Sequence, residues 1–519
     1  MRNRDLTDRL TGKAVKSSLI VVLTLTLYGC GDGSGNPPKT EIPTEAQQSD
    51  IAIAADQAGV TPFIASIQLA GSSIAYVTSV AFRIAPKPGS VSQAVNVTWN
   101  MSALSDRGYL QGNTINLPVF GLYAGYQNLV AVTITFNDGS SQRLRYLIVT
   151  QPYTDPIGVY SSPTIIKARA QGSTLGFSFF ILKSLLGPPV IVDTDAEVRW
   201  AVPGSSTFAV YFTNGQFVRG GNGSASLTLL QLDGTESSLP AILPQPLLSG
   251  FHHNMDPGRE GILADMSGTD SLGESVEDVV SEILPFSDQL PVQTFDMATI
   301  LSSYMLAKGD DPSAFVRPGV DWFHLNASTY DPRDNSVIVS SRENFLIKLD
   351  YATQDIIWVL GDPTKYWHTF PSLRAKALLL TGLYPIGQHA VSITSDGYVM
   401  VFNNGTRSVN QPSGEPAGQS RTYSAVSAYS VHTSTMTARE VWDFNYGRSV
   451  YSDFCGSSYE APNKTYLVDF ATADGEREAR LVGLDSHHNS VFIFRYASPS
   501  PCGAAWNAIP IALENLKIN

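Results

Sequence analysis

The chain has 519 residues and a formal net charge of −12, and only 15% of its residues are charged. An acidic balance argues against a nucleic-acid backbone as partner, because that contact needs a basic face. With 42 Gly, 31 Pro, 22 Tyr and 23 Phe, the composition is that of an all-β chain rich in turns, long enough for two domains.

The first segment reads as a targeting signal. Arg2, Arg4, Arg9, Lys13 and Lys16 precede an apolar run from Leu19 to Gly29, too short to span a bilayer as a permanent helix. The run ends Leu27-Tyr-Gly-Cys30, which resembles a bacterial lipobox, so residues 1–29 are expected to be a lipoprotein signal peptide and Cys30 the lipidated residue. Removing residues 1–29 leaves 29 basic and 44 acidic residues, a charge of −15. Residues 30–55, opening Gly31-Asp-Gly-Ser-Gly-Asn-Pro-Pro38, read as a flexible tether. A lipid anchor of this kind holds a protein at a membrane without spanning it. Gly31 is not the acidic residue associated with inner-membrane retention, which points to the outer membrane and a periplasm-facing location.

Residues 56–155 read as a small β-sandwich. Val91–Trp99 and Val130–Phe136 alternate apolar and polar residues, and Asn137-Asp-Gly139 before Arg143–Val149 is a hairpin signature. Residues 151–162 look like a linker.

From residue 160 to 519 a partial repeat predicts a six-bladed β-propeller. Ala196–Trp200, Gln354–Trp358 and Ala438–Trp442 carry Trp at one phase and read as outer strands. His253–Gly261 and His389–Gly397 align as inner strands, and His324 fits the same pattern with a longer turn. Residues 262–316 read as the main insertion, with a helix around Thr294–Ala307.

In a propeller, equal positions of successive inner strands converge on the axis, which would bring His253, His324 and His389 into one pocket. Asn326 lies two residues after His324, on the same face of a strand, and Arg342 lies on the returning strand. Imidazole, amide and guanidinium together suit an oxyanion. Three histidines could also hold a metal such as zinc. Arg342 would repel a cation, however, and no carboxylate or cysteine is placed to help, so no metal is expected. The pairs His252-His253 and His487-His488 would offer one ligand each, since adjacent strand residues face opposite ways. Once Cys30 is set aside, Cys455 and Cys502 form an even pair, which in an exported protein suggests a disulfide closing a 47-residue loop. The alternative is two buried free thiols.

Asp321-Trp-Phe-His-Leu-Asn326 through Arg342, Ile356-Ile-Trp-Val-Leu-Gly-Asp-Pro363, Gln388-His389 with Phe402-Asn-Asn-Gly405, and His253-Asn-Met-Asp256 resemble the bacterial arylsulfate sulfotransferase family. Val119-Phe-Gly-Leu-Tyr123 is similar to that family's N-terminal domain. The resemblance covers nearly all of the chain after the tether. It implies a periplasmic six-bladed propeller that moves a sulfuryl group from a phenolic sulfate donor to a phenolic acceptor without a nucleotide donor or other cofactor. No Gly-rich phosphate loop is present, in keeping with that. Carried over by motif, the nucleophile falls on His389, anion-binding histidines on His253 and His324, the amide on Asn326 and the arginine on Arg342. A late threonine of the family falls on Ala504, so one hydroxyl is missing. The implied reaction is ping-pong through a sulfo-histidine, with Trp322, Phe323 and Tyr123 as candidate aromatic walls. Two alternatives stay open at this point: a non-catalytic ligand- or protein-binding propeller lipoprotein, and a sulfatase in which water is the acceptor. A homodimer is compatible with the sequence, which carries no signal for oligomeric state.

Overall fold

The computed structural model describes residues 49–221, 224–239, 247–270, 273–287 and 291–519. The segment read as a signal peptide, Cys30 and most of the segment read as a tether lie outside these residues. Among the described residues no helix is long and apolar enough to cross a membrane.

Two sheets form the sandwich. One orders the strands Ala52–Ala58, Ile64–Ala70, Thr114–Phe120 and Leu110–Gln111; the other contains Val95–Asn100, Val77–Ile84, Gln127–Phe136 and Ser141–Val149. Period-2 alternation sends Ile67, Leu69, Val80, Phe82, Val97, Trp99, Val130, Val132 and Ile134 into a fully buried layer between them. Each such side chain contributes about 1.5–3 kcal/mol relative to exposure. The Asn137-Asp-Gly139 turn joins the last two strands as expected, with Thr135 opposite Ser141 and Gly139 at φ 83°. The segment read as a linker is pinned: Asp155 accepts from the backbone N–H groups of Ile157, Val159 and Tyr160.

Among the described residues the remaining strands form six sheets of four or five strands. The edge strands Val210–Thr213, Leu247–Pro257, Leu325–Asp331, Gln388–Ile393, Ser457–Ala461 and Asn507–Ile511 contact one another in that order. Tyr211 and Phe212 share a cavity lining with Ile509 and Pro510, bringing the first and last of these strands together. This is propeller architecture, with these strands innermost. Two late pairings join the ends of the chain segment. Asn507–Ile511 pairs with Phe179–Lys183 of the first sheet, and Thr164–Lys167 adds to the outside of the last sheet against Ser490–Ala497. Beyond the inner strand, Leu516–Ile518 leaves the propeller and pairs in parallel with Val95–Asn100 of the sandwich.

The tryptophans at the repeated phase lie on outer strands. Trp200 and Trp358 are buried, and Trp442 stacks on His488 at 4.2 Å between centroids. One expectation fails. Residues 262–316 are mostly not an insertion, because Ile262–Asp270, Gly273–Ile283 and Gln293–Asp296 complete the sheet begun by Leu247–Pro257. The helix runs Met297–Ala307, capped by the Asp296 carboxylate on Thr299 N–H. Acidic residues in the Gly273–Ile283 strand hid it, since buried Asp278 and Glu282 break the alternation that marks a half-buried strand.

Candidate active site

Three inner strands carry a backbone irregularity close to their histidines. His253 (φ 40°) and His324 (φ 49°) occupy left-handed conformations, and the ladders shift register at both points. A left-handed non-glycine residue costs roughly 1–2 kcal/mol, and such strain with a bulge re-aims side chains at functional sites. In the third copy the left-handed residue is Ala390 (φ 52°), next to His389 rather than on it. The sequence alignment of His253 with His389 is therefore offset by one residue in backbone terms.

The three imidazoles nevertheless converge. His253, His324 and His389 present ring nitrogens within 4.8 Å of one another. Ring centroids are 4.8 Å apart for His253 and His324, and 6.4 Å for His253 and His389. All three are largely buried.

His389 is held by its Nδ1–H, which donates to Asn404 Oδ1 (2.7 Å) and lies 3.2 Å from the Gly387 carbonyl. Two acceptors at Nδ1 place the proton there and leave the Nε2 lone pair available. Burial, with the charges of His324 and Arg342 adding to it, pushes His389 down to about 3, so the ring is neutral at ordinary pH.

His324 is the opposite case. Its Nδ1 lies 2.7 Å from Asp321 Oδ2 and 2.8 Å from Glu277 Oε2. Burial opposes the charge, but the two carboxylates outweigh it and raise this histidine above its ordinary value. Glu277 also lies 3.8 Å from His253 Nδ1; burial works against its ionised form, yet the surrounding histidines hold it well below the usual carboxylate range. His253 is driven well below its ordinary value by burial and by the neighbouring histidines.

Arg342 directs Nε (3.0 Å) and Nη2 (2.8 Å) to Oε1 of fully buried Glu343, while its Nη1 has no hydrogen-bond partner among the described residues. The other oxygen of Glu343 accepts from Val409 and Asn410 N–H, which fastens the 408–411 loop beside the arginine. Asn410 Nδ2 in turn donates to Asp321 Oδ2 at 3.0 Å. The Asn326 amide donates one hydrogen to the Gln388 carbonyl at 2.7 Å, tying the His324 strand to the His389 strand. Cys455 and Cys502 are joined in a disulfide with Cα atoms 6.2 Å apart.

Several expectations change. His252 and His253 do not face opposite ways: their Nδ1 atoms are 3.0 Å apart, because the left-handed backbone at His253 breaks strand alternation. Carboxylates are present after all, since Glu277 and Asp321 stand among the histidines. His252, His253 and Glu277 also have donor atoms close enough for a metal ion, as do Glu277, Asp321 and His324. The carboxylates are engaged with His324 Nδ1, and Arg342 Nη2 lies 3.9 Å from Asp321, so a cation would have to displace a proton and meet a guanidinium. Trp322 and Phe323 are core residues, packed with Phe315 and Phe345. Tyr123 is buried beneath the Arg199 guanidinium at 3.6 Å. An aromatic ring that does stand beside the site is Phe454, with its centroid 5.7 Å from the Arg342 guanidinium. Ala504 is fully buried, and its carbonyl accepts from Tyr160 OH at 2.7 Å.

Glu277, Asp321 and Asn404 were missed as site residues. Asp321 and Asn404 lay inside quoted motifs, three residues before His324 and next to Asn403; Glu277 had no local signal.

The arylsulfotransferase (ASST) family model matches residues 167–494, and the arylsulfotransferase Ig-like domain model matches residues 54–151. The arylsulfate sulfotransferase AssT of Escherichia coli O6:H1 is 30% identical over 157 residues, covering 27% of this chain and 25% of the relative. The AssT of Lelliottia amnigena is 27% identical over 152 residues, covering 26% of this chain and 24% of the relative. The matched stretch thus spans about a quarter of each curated relative. Among solved structures, the β-propeller domain of Myceliophteria thermophila Cps50 (Swd1) aligns with a TM-score of 0.33 and 12% identity, over 65% of this chain and 90% of that one.

Proposed function

The chain belongs to the arylsulfotransferase family, and from that premise we propose that it moves a sulfuryl group from a phenolic sulfate ester to a phenolic acceptor through a sulfo-histidine at His389. The observation that carries this reading is the contrast between two neighbouring imidazoles. His389 is held neutral with its Nε2 turned away from Asn404, and Asp321 and Glu277 favour the charged form of His324. Groups whose environments push their pKa values apart mark an acid and a nucleophile or base.

In the first half, His389 Nε2 attacks sulfur. An N–S bond forms, the S–O(aryl) bond breaks, and the electron pair leaves with the phenolic oxygen. His324, its Nδ1 held by carboxylates, gives the Nε2 proton to that oxygen. Arg342 Nη1, the Asn326 amide and His253 hold the sulfuryl oxygens as charge spreads over them. In the second half an acceptor phenol loses its proton to neutral His324, its oxygen bonds to sulfur, and the N–S bond breaks. Phenolate is a tolerable leaving group, which favours aryl over alkyl esters. Phe454 is placed to stack on the aromatic ring. In this reading the six sheets are six blades around the histidine site. Export and anchoring through an acylated Cys30 complete the proposal; a disulfide fits an oxidising compartment.

The test is release of 4-nitrophenol from 4-nitrophenyl sulfate with and without added phenol, together with intact mass spectrometry in the absence of acceptor. Phenol-stimulated release and a protein carrying one SO₃ group, lost in His389→Asn, are expected. Release independent of phenol would point instead to a sulfatase, and no release to a binding propeller. Incorporation of a labelled fatty acid that is lost in Cys30→Ala would report the anchor.

A further inference from the structure

We infer that Asn404 is a positioning residue that locks His389 in the tautomer needed for attack, and that the carbonyl of Cys455, held by the disulfide, is what orients Asn404. The inference rests on His389 being the nucleophile.

An amide can present either its oxygen or its nitrogen to a ring nitrogen. At Asn404 the choice is already made, because both amide hydrogens are used on the far side. Nδ2 donates to the Ser452 carbonyl at 2.8 Å and to the Cys455 carbonyl at 2.7 Å. Only Oδ1 is left to face His389, and it lies 2.7 Å from Nδ1. An oxygen there accepts a proton and cannot give one, so Nδ1 must carry the hydrogen and Nε2 must be bare. Asn404 is fully buried, so water does not compete for these bonds.

The two carbonyls are fixed independently. Ser452 is tied to the Asn404 backbone through Ser424, whose Oγ donates to the Asn404 carbonyl at 2.8 Å and accepts from Ser452 N–H at 2.8 Å. Cys455 sits in a left-handed conformation (φ 55°) in the turn between two sheets, where a non-glycine residue is strained. Its side chain is covalently held by Cys502, and the next residue, Gly456, donates to the Trp506 carbonyl at 2.9 Å. The late segment around Cys502 thereby holds the turn, the turn holds the amide, and the amide sets the proton on the nucleophile. Asn404 touches neither donor nor acceptor in this scheme; it acts through the histidine, as an orienting partner does for a catalytic imidazole.

Histidine-selective ¹⁵N labelling reads the tautomer in the resting protein, with the His389 signals assigned by their loss in His389→Asn. The expected wild-type pattern is a protonated Nδ1 and an unprotonated Nε2. In Asn404→Ala the pattern should become a tautomer mixture, with kcat lower by about 10²-fold or more and little change in donor KM. In Asn404→Asp the acceptor is restored with a charge. The Nδ1–H pattern should return, while a new acid limb enters the pH–rate profile because the carboxylate raises His389. Mild reduction of the disulfide in wild-type protein should broaden or mix the His389 signals, and reoxidation should restore them. An Asn404→Ala protein that keeps the Nδ1–H pattern and wild-type kcat overturns the inference, as does a wild-type His389 protonated at Nε2. A wild-type protein with the expected tautomer that never acquires a sulfuryl group overturns the reading of His389 as nucleophile instead, and the NMR result separates the two failures.

Discussion

The carboxylate of Glu277 lies 2.8 Å from Nδ1 of His324, on a strand that begins 51 residues earlier in the chain. This pair favours the charged form of one imidazole amid neighbours that burial pushes toward the neutral form. Glu277→Gln removes the charge that raises His324, so His324 should lose its proton at lower pH. The alkaline limb of kcat should move toward acid. Turnover of a poor leaving group, such as phenyl sulfate, should fall more than that of 4-nitrophenyl sulfate, by up to about 10²-fold. Identical pH profiles for variant and wild type would remove Glu277 from the acid's support.

The same titrations bear on stability. His389, pushed down to about 3 by burial, and His253, also depressed, bind fewer protons folded than unfolded. They therefore destabilise the fold as pH falls below about 6.5, the unfolded value. His324, raised when folded, acts in the opposite sense: its contribution is full below about 6.5 and is lost as pH rises through its folded value. His389→Asn should weaken the loss of Tm between neutral pH and pH 4, which thermal denaturation across a pH series measures.

Arg342→Lys should lower kcat/KM by roughly 10- to 10²-fold, since an ammonium cannot bind Glu343 through two nitrogens and offer a third to the substrate. Steady-state kinetics would show whether the loss falls in kcat, as expected for contacts that strengthen in the transition state. Wild-type values would argue that the guanidinium only fastens the 408–411 loop.

Cys455→Ser with Cys502→Ser removes the cross-link over a separation of 47 residues. Chain entropy alone predicts a loss of about 4 kcal/mol, within the usual 2–5 for a native disulfide. Urea unfolding at equal protein concentration checks this; an unchanged midpoint would mean that the backbone bonds of the turn hold it without the bridge.

Much of the fold was legible because strands announce themselves by period 2. The Asn137-Asp-Gly139 hairpin, the inner strands at His253, His324 and His389, and the outer strands carrying Trp200, Trp358 and Trp442 could all be read from pattern. Where polar residues are buried, the pattern fails. Asp278 and Glu282 made a sheet strand look like an insertion, and Glu277 was concealed with them. Alternation also fails at a bulge, so His252 was assigned the wrong face. Trp322 and Phe323 immediately precede His324 in sequence, yet both pack into the core. Asn404 lay within a quoted motif, but its role depends on the carbonyls of Ser452 and Cys455, and backbone acceptors leave no trace in residue identity.

The strand Asn507–Ile511 is innermost in the first sheet, and Leu516–Ile518 closes onto the sandwich. Both partners, Phe179–Lys183 and Val95–Asn100, are made hundreds of residues earlier. During synthesis the ring stays one strand short, and the sandwich one strand narrower, until almost every other described residue has emerged. The contacts that complete both are among the longest in sequence separation that the molecule makes, so loop closure is paid before they form. Such a chain stays unfinished until these late strands have been made. These two late strands therefore bear on the kinetics of folding as well as on the finished structure.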